Sequence, residues 1–257
     1  MTSKQVMLTV AAMCLGACTL QDAEPLVSPY DTRRVLAVVP LANESGSLHA
    51  NGAKMADFLA RQLENASNID VLAVNRVIAA MEGRTMSQVT SPADAMRLLN
   101  TLGVDGLVVG TITAYDPYEP PKLGLAIELY VNALADQPAQ TLNLRQLSRA
   151  RTGGQVQRPT GSRRAQPYTV VSAFFDAASP DVRRQMQRYA TGRGTRVDEE
   201  GLRKYKPFQP RSDKEAVHTI HLSMDLFSQF VSYEMCWRLL AAEHSRVAVD
   251  SVAQANP

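Results

Sequence analysis

The chain has 257 residues and a formal net charge of +2, and this near-neutral balance argues against a dedicated nucleic-acid-binding protein, which is usually strongly basic. Hydrophobic residues make up 45% of the chain, enough for a buried core, and three cysteines are too few for a disulfide scaffold. No run of 18 apolar residues occurs, which excludes an ordinary transmembrane helix.

The first 17 residues are predicted to be a secretory signal peptide. Lys4 supplies a positive charge, and residues 6–15 form a short apolar stretch. The sequence that follows, Leu15-Gly16-Ala17-Cys18, resembles a bacterial lipobox. This resemblance implies signal cleavage after Ala17 and attachment of a diacylglycerol to the thiol of Cys18. The alternative is an ordinary signal peptide that a cysteine happens to follow.

Lipid on Cys18 would provide the contact with the membrane. Two or three acyl chains, palmitate among them, anchor a protein stably, whereas one chain anchors it only marginally. Thr19 stands where an Asp would favour retention in the inner membrane of well-studied Gram-negative bacteria. We therefore expect a location in the cell envelope, at the outer membrane and facing the periplasm. Residues 18–32 are polar and lack periodicity, which predicts a flexible or extended tether.

Strand and helix patterns then alternate along the chain. Short apolar runs and period-two alternation predict strands, and apolar residues at helical spacing predict helices. Asn75 is a candidate cap for the second helix, and Ser91-Pro92 and Gly103 bound the third. The predicted elements are strand 33–41, helix 48–65, strand 69–74, helix 75–82, helix 91–103, strand 104–115, strand 123–131, strand 168–177 and helix 179–189. The order β-α-β-α-α-β-β-β predicts an α/β (α+β) fold: one mixed sheet flanked by helices, with a C-terminal helical extension.

Two stretches carry a resemblance to known envelope proteins. Residues 35–46, VLAVVPLANESG, and residues 102–112, LGVDGLVVGTI, resemble the opening strand and loop and a later strand of periplasmic domains of the TolB N-terminal and CsgG type. The resemblance covers roughly residues 33–135. It implies a scaffold fold whose members serve secretion channels, trans-envelope complexes and the activation of cell-wall synthases. These are scaffold motifs, so they do not indicate catalytic residues.

The second half of the chain has a different charge. Residues 140–211 carry 15 Lys and Arg against 5 Asp and Glu, whereas the rest of the mature chain is acidic. The most basic part is predicted to be a disordered insert at about residues 140–165. It is either a solvated loop or a contact for an anion or a partner, and in the second case Arg163 and Arg164 are the candidate contacts.

A long apolar helix is predicted at residues 213–242. It carries two apolar stripes, where a helix covered on one side needs only one. The second stripe either packs within the chain or forms an interface with another subunit or partner, for which Phe230 and Trp237 are the candidate residues. The chain is thus divided into signal peptide 1–17, tether 18–32, α/β domain 33–177 with its insert, helical extension 178–242 and tail 243–257.

No catalytic motif is found. The sequence lacks G-x-S-x-G, H-E-x-x-H, a P-loop, a helix-opening G-x-G-x-x-G and C-x-x-C. His218 and His221 are spaced so that both could touch one metal ion, but no further ligand set accompanies them. We therefore predict no cofactor and no metal.

These features together predict a lipid-anchored, non-catalytic protein of the cell envelope. Its role would be scaffolding, assembly of a secretion apparatus or regulation of an envelope complex. Its predicted partners are the membrane, through the lipid on Cys18, and a protein partner or further copies of the chain, with no nucleic acid. One alternative is a periplasmic enzyme that acts on cell-wall or exported polysaccharide, and another is a ligand-binding lipoprotein.

Overall fold

The computed structural model describes residues 26–132, 169–192 and 213–255. Within these residues the chain forms six strands and six helices. The strands are β1 (Arg34–Val38), β2 (Ala42–Asn43), β3 (Ile69–Leu72), β4 (Gly106–Asp116), β5 (Lys122–Val131) and β6 (Thr169–Asp176). The helices are α1 (Gly52–Leu63), α2 (Val74–Glu82), α3 (Pro92–Leu102), α4 (Pro180–Gly192), α5 (Asp213–Leu222) and α6 (Met224–Ala255).

The strands form one mixed sheet in the order β3-β1-β4-β5-β6, with β2 also paired to β4. β1 runs parallel to β3 and β4, and β5 runs antiparallel to β4 and β6. β2 continues the path of β1 along β4 after an interruption at Pro40, whose ring removes a ladder donor. Helices flank the sheet on both faces, and the predicted α/β fold class with its C-terminal helices is confirmed.

Two cores lie on opposite faces of the sheet. The larger core is covered by α1 and α6, with α4 and α5 packed at its margin. The smaller core is covered by α2 and α3. On β5 the odd-numbered apolar side chains all enter the larger core: Leu123, Leu125, Ile127, Leu129 and Val131. The period of two along the strand therefore decides which side chains meet which helices.

The ends of α3 lie where the sequence signals place them. The Ser91 side chain accepts a hydrogen bond from the Asp94 backbone N–H at 3.2 Å, with Pro92 in the first turn. Gly103 ends the helix at φ 65°, in the left-handed region that glycine adopts without steric cost. The predicted cap at Asn75 is wrong: α2 begins at Val74, after Ala73. No side chain caps this helix start, and Val74 is buried in the larger core.

The end of the predicted tether belongs to the folded domain. Leu26 and Tyr30 are buried in the larger core, and the Asn68 side chain donates to the Tyr30 carbonyl at 3.0 Å. Apolar and aromatic side chains in this short stretch are covered by the larger core, a contact that local periodicity does not reveal. Residues 18–25 lie outside the described residues.

The long C-terminal helix differs from its prediction at two points. It is broken at Ser223, whose carbonyl accepts a hydrogen bond from the Phe227 N–H at 2.9 Å and whose hydroxyl accepts one from the Leu226 N–H at 3.4 Å. Ser223 therefore caps a new helix, α6, which then continues to Ala255, beyond the predicted end at residue 242. No helix among the described residues is long and apolar enough to cross a membrane.

Candidate functional site: a cleft on the half-covered face of the sheet

The face under α2 and α3 is covered over only part of its width. Tyr130 on β5 is buried there beneath α3. Farther across the sheet no described helix covers the face, and Val170 and Phe174 on β6 are 57% and 58% exposed. We call the surface formed by Ala126, Glu128, Val170, Ser172 and Phe174 the open face.

The register of β5 and β6 sets the arrangement of the open face. Glu128 lies directly opposite Val170, and Ala126 lies opposite Ser172. Phe174 lies opposite Gly124, which offers no side chain to cover the ring. Directly opposed residues of an antiparallel pair point to the same side of the sheet. The open face therefore combines one carboxylate with two large apolar side chains.

A cleft of about 450 Å³ adjoins the open face, between the sheet and the N-terminal end of α3. Its floor is formed by β4 and β5, and its walls by the segments that follow β1 and precede α3. It is lined by Val39, Pro40, Ala42, Glu44, Gln88, Val89, Thr90, Ser91, Pro92, Val109, Gly110, Thr111, Ala126, Glu128 and Tyr130.

Glu128 and Tyr130 form a hydrogen-bonded pair in the floor of the cleft. The Tyr130 hydroxyl donates to Glu128 Oε2 at 2.7 Å. Burial raises the pKa of the Tyr130 phenol, and the hydrogen bond to Glu128 raises it further. The phenol therefore keeps its proton at neutral pH and acts as a donor that orients the Glu128 carboxylate.

The wall of the cleft on the α3 side is held by a capping network. The Ser91 hydroxyl donates to Asp94 Oδ2 at 2.7 Å, and Arg97 forms an ion pair with Asp94 Oδ1 at 2.6 Å. The hydrogen bond from Ser91, followed by one from Thr90 and the charge of Arg97, lowers the pKa of Asp94 in spite of some burial. These groups satisfy one another, so the network fixes the shape of the wall.

The opposite wall carries Glu44, which directly follows β2. The Glu44 backbone N–H donates to the Ile112 carbonyl at 3.0 Å, which extends the pairing of β2 with β4. Just before it, the Asn43 side chain donates to the Ser47 carbonyl at 2.8 Å and accepts from the Ser45 hydroxyl at 2.7 Å. These hydrogen bonds hold the turn that positions Glu44 in the wall of the cleft.

A second polar cluster lies on the other face of the sheet, around the buried Glu243 of α6. Glu243 is 0% exposed and accepts hydrogen bonds from the Tyr30 hydroxyl at 2.9 Å, the Thr169 hydroxyl at 2.7 Å and the Arg246 guanidinium at 2.7 and 2.9 Å. Burial acts to raise the pKa of Glu243, but these hydrogen bonds and the charge of Arg246 outweigh it and lower the pKa. The cluster ties the N-terminal segment and β6 to α6.

The predicted interface residues of the long helix have different environments. Phe230 is 0% exposed and packs against Phe175, Tyr189 and Phe227, with ring centroids 5.7 to 5.9 Å apart. It is therefore a core residue, and its assignment to an interface is corrected. Trp237 is 41% exposed on α6 and stays a candidate contact. The predicted residues Ala17, Cys18, Arg163 and Arg164 lie outside the described residues.

The histidines and the helical cysteine do not assemble a site. Among the described residues no group of three or more His, Cys, Asp and Glu side chains is placed to hold a metal ion. Burial lowers the pKa of His221, as do the nearby charges of Arg183 and His218. Cys236 is fully buried, and burial raises the pKa of its thiol, which disfavours the reactive thiolate.

The sequence interpretation missed the cleft and the Glu243 cluster. A signal for the cleft does exist on β5, where the residues that alternate with the apolar ones are small or polar: Gly124, Ala126 and Glu128. This stretch of β5 thus offers a helix little apolar surface to bury on that side of the sheet. No sequence pattern pointed to Glu243, because the four hydrogen bonds that it accepts come from three separate parts of the chain.

No family model matches the chain, and no curated protein does. Among solved structures it is similar to lipoprotein GNA1162 from Neisseria meningitidis at 17% identity and a TM-score of 0.34, over 55% of this chain and 81% of that one. It is similar to the LpoB C-terminal domain from Salmonella enterica at 11% identity and a TM-score of 0.36, over 66% and 95%. It is also similar to the hypothetical protein CT253 from Chlamydia trachomatis at 14% identity and a TM-score of 0.36, over 82% and 98%. At these identities and scores the likenesses carry no argument about function.

Proposed function

We propose that this chain is a lipid-anchored, non-catalytic protein of the bacterial cell envelope that acts by binding a protein partner on the open face. The observation that carries the proposal is the exposure of Phe174 and Val170 beside the cleft. Aromatic side chains next to a concave polar surface are typical of binding hot spots. Scaffolding, assembly of a secretion apparatus and regulation of an envelope complex all require such a surface.

The position of the N-terminal segment fits an anchored binding protein. Only seven residues separate Cys18 from the buried Leu26, and the eight steps from one Cα atom to the next span at most about 29 Å. A lipid on Cys18 would therefore hold the domain close to the membrane. Leu26 packs in the core on the α1 and α6 side of the sheet, whereas the cleft lies on the α2 and α3 side. This arrangement supports an anchor attached on the side of the sheet opposite the open face.

The anchor is tested by Cys18→Ala. We expect mass spectrometry to detect acyl chains on the wild-type N-terminus, and we expect the wild-type protein to fractionate with the outer membrane. The variant should be recovered as soluble protein or uncleaved precursor, because the acyl chains supply most of the membrane affinity. An unlipidated wild-type N-terminus would contradict the proposal.

The binding surface is tested by site-specific photo-crosslinking in cells. A photoreactive amino acid at Phe174 or Ser172 should capture one defined envelope protein. The same amino acid at Tyr118, which is 75% exposed in the turn between β4 and β5, is the matched control and should not capture it. Equal capture at both positions, or none at the open face, would argue against a partner surface here.

A further inference from the structure

The cleft beside the open face carries two carboxylates, and none of the described residues that line it is a cation. Glu44 and Glu128 both line it, and its lining contains no Lys, Arg or His. The nearest basic side chain in the capping network, Arg97, is already paired with Asp94. Lys122, also on β5, lies at the far end of the strand and is paired with Asp176 at 3.5 Å.

Glu128 is prepared to accept a donor from outside the chain. Its Oε2 receives the Tyr130 hydroxyl, while Oε1 accepts no hydrogen bond from the residues that the structure describes. The side chain is partly exposed, so a partner group can reach it. A carboxylate held in one orientation at the floor of a cleft offers a guanidinium or ammonium group a charge-assisted bond, which is the stronger kind.

The neighbouring strand, β6, places apolar side chains next to the Glu128 carboxylate. Val170 is directly opposite Glu128 on β6, about 5 Å away across the pair, and Phe174 lies four residues along the same strand, about 13 Å farther. An extended polypeptide that lies across the open face along β6 would pass Glu128 first and Phe174 after it. Its cationic side chain would therefore face Glu128, and its apolar side chains would face Val170 and Phe174.

We infer that the open face binds a segment of the protein partner that carries a Lys or Arg side chain next to apolar side chains, with the cationic group in the cleft at Glu128. The inference rests on the proposed function and adds the chemistry of the partner. Complementary charge of this kind sets which partner binds and speeds association, and a half-buried pair also slows release.

The test uses the full mature chain in detergent and three synthetic peptides. All three are acetylated and amidated and alternate valine with a second residue, which is lysine, glutamine or glutamate. We expect the lysine peptide to bind at least about tenfold more tightly than the glutamine peptide and the glutamate peptide not to bind. Its affinity should fall as the salt concentration is raised from about 50 to about 500 mM, because dissolved ions screen the attraction between the lysine and Glu128.

The matched variants are Glu128→Gln and Glu64→Gln. Glutamine at position 128 still accepts the Tyr130 hydroxyl, so the fold should be kept, which circular dichroism checks. The first variant should bind the lysine peptide about tenfold more weakly, while the second, at an exposed carboxylate after α1 on the other face, should bind it unchanged. Equal binding by both variants, or equal binding of the lysine and glutamine peptides, would overturn the inference.

The outcome is separable from that of the proposed function. If the crosslink from Phe174 to the envelope partner persists in cells at wild-type yield when Glu128 is changed to Gln, the inference about a cationic segment fails and the partner surface stands. If the crosslink at Phe174 is absent while the lysine peptide binds through Glu128, the proposed partner surface fails. A crosslink that is lost in Glu128→Gln and kept in Glu64→Gln supports both.

Discussion

Phe174 and Phe175 are neighbours on β6, yet they belong to two different surfaces of the molecule. Phe175 is 1% exposed and packs its ring against Phe230 of α6, with Arg238 above it at 5.1 Å. Phe174 points to the other side of the sheet and is 58% exposed. The same residue type therefore stabilises the fold at one position and offers a contact surface at the next. The difference comes from which sheet face the helices cover.

Substitution of the two phenylalanines gives the largest expected contrast. Phe175→Ala leaves a cavity in the larger core and should lower the free energy of unfolding by about 3–5 kcal/mol. Phe174→Ala removes a mostly exposed ring and should cost less than about 1 kcal/mol. Urea denaturation of the mature chain without lipid measures both values. Similar losses for the two variants would show that Phe174 is covered in solution.

The two aromatic residues on α6 repeat the contrast on a helix. Phe230→Ala should cost about 3–5 kcal/mol, because the ring contacts three other aromatic side chains in the core. Trp237→Ala should cost less than half as much, since the side chain is 41% exposed. Light scattering distinguishes a further role: a change in oligomeric state in Trp237→Ala alone would make Trp237 an interface residue. A cost for Trp237→Ala equal to that of Phe230→Ala would place it in the core.

Glu243, on the covered face of the sheet, is expected to stabilise the fold in a pH-dependent way. Its pKa in the folded chain lies below the ordinary value of 4.5, so its stabilisation is present above about pH 4.5 and is lost as the pH falls through the lower, native pKa. Glu243→Gln should therefore lower stability by about 1–3 kcal/mol at pH 7 and by less in acid. Tyr30→Phe, which removes one donor, should cost about 1 kcal/mol. A Glu243→Gln effect that is independent of pH would contradict the assignment.

Glu234 is expected to have the smallest effect on stability, and its dependence on pH is opposite to that of Glu243. Burial raises its pKa above the ordinary 4.5, and the charges of Arg238 and Arg188 counter this only in part. The carboxyl group thus binds its proton more tightly in the folded chain, and stability falls as the pH rises from about 4.5 through the higher pKa of the folded chain. Glu234→Gln should raise the free energy of unfolding at pH 7 by about 0.5 kcal/mol. Glu64→Gln, at an exposed site, serves as the control and should leave it unchanged.

Local patterns in the sequence were sufficient for most of the secondary structure. The strand at residues 123–131 alternates apolar with small or polar residues, and β5 occupies Lys122–Val131. Ser91-Pro92 and Gly103 predicted the ends of α3 because capping depends on residues within one turn of the helix end. The break at Ser223 was missed, since both flanking segments are apolar at helical spacing and only the capping geometry interrupts them.

The sequence by itself determined which side chains share a face, because alternation along a strand and spacing along a helix are properties of the local backbone. Only the tertiary structure decided which face is covered. Phe174 and Phe175 have the same local sequence environment, and their different exposure follows from α6 lying over one side of β6. The tertiary structure also brought Tyr30, Thr169 and Arg246 to Glu243, and Glu44 to the cleft with Glu128, because residues far apart in the chain meet only when the sheet order is set.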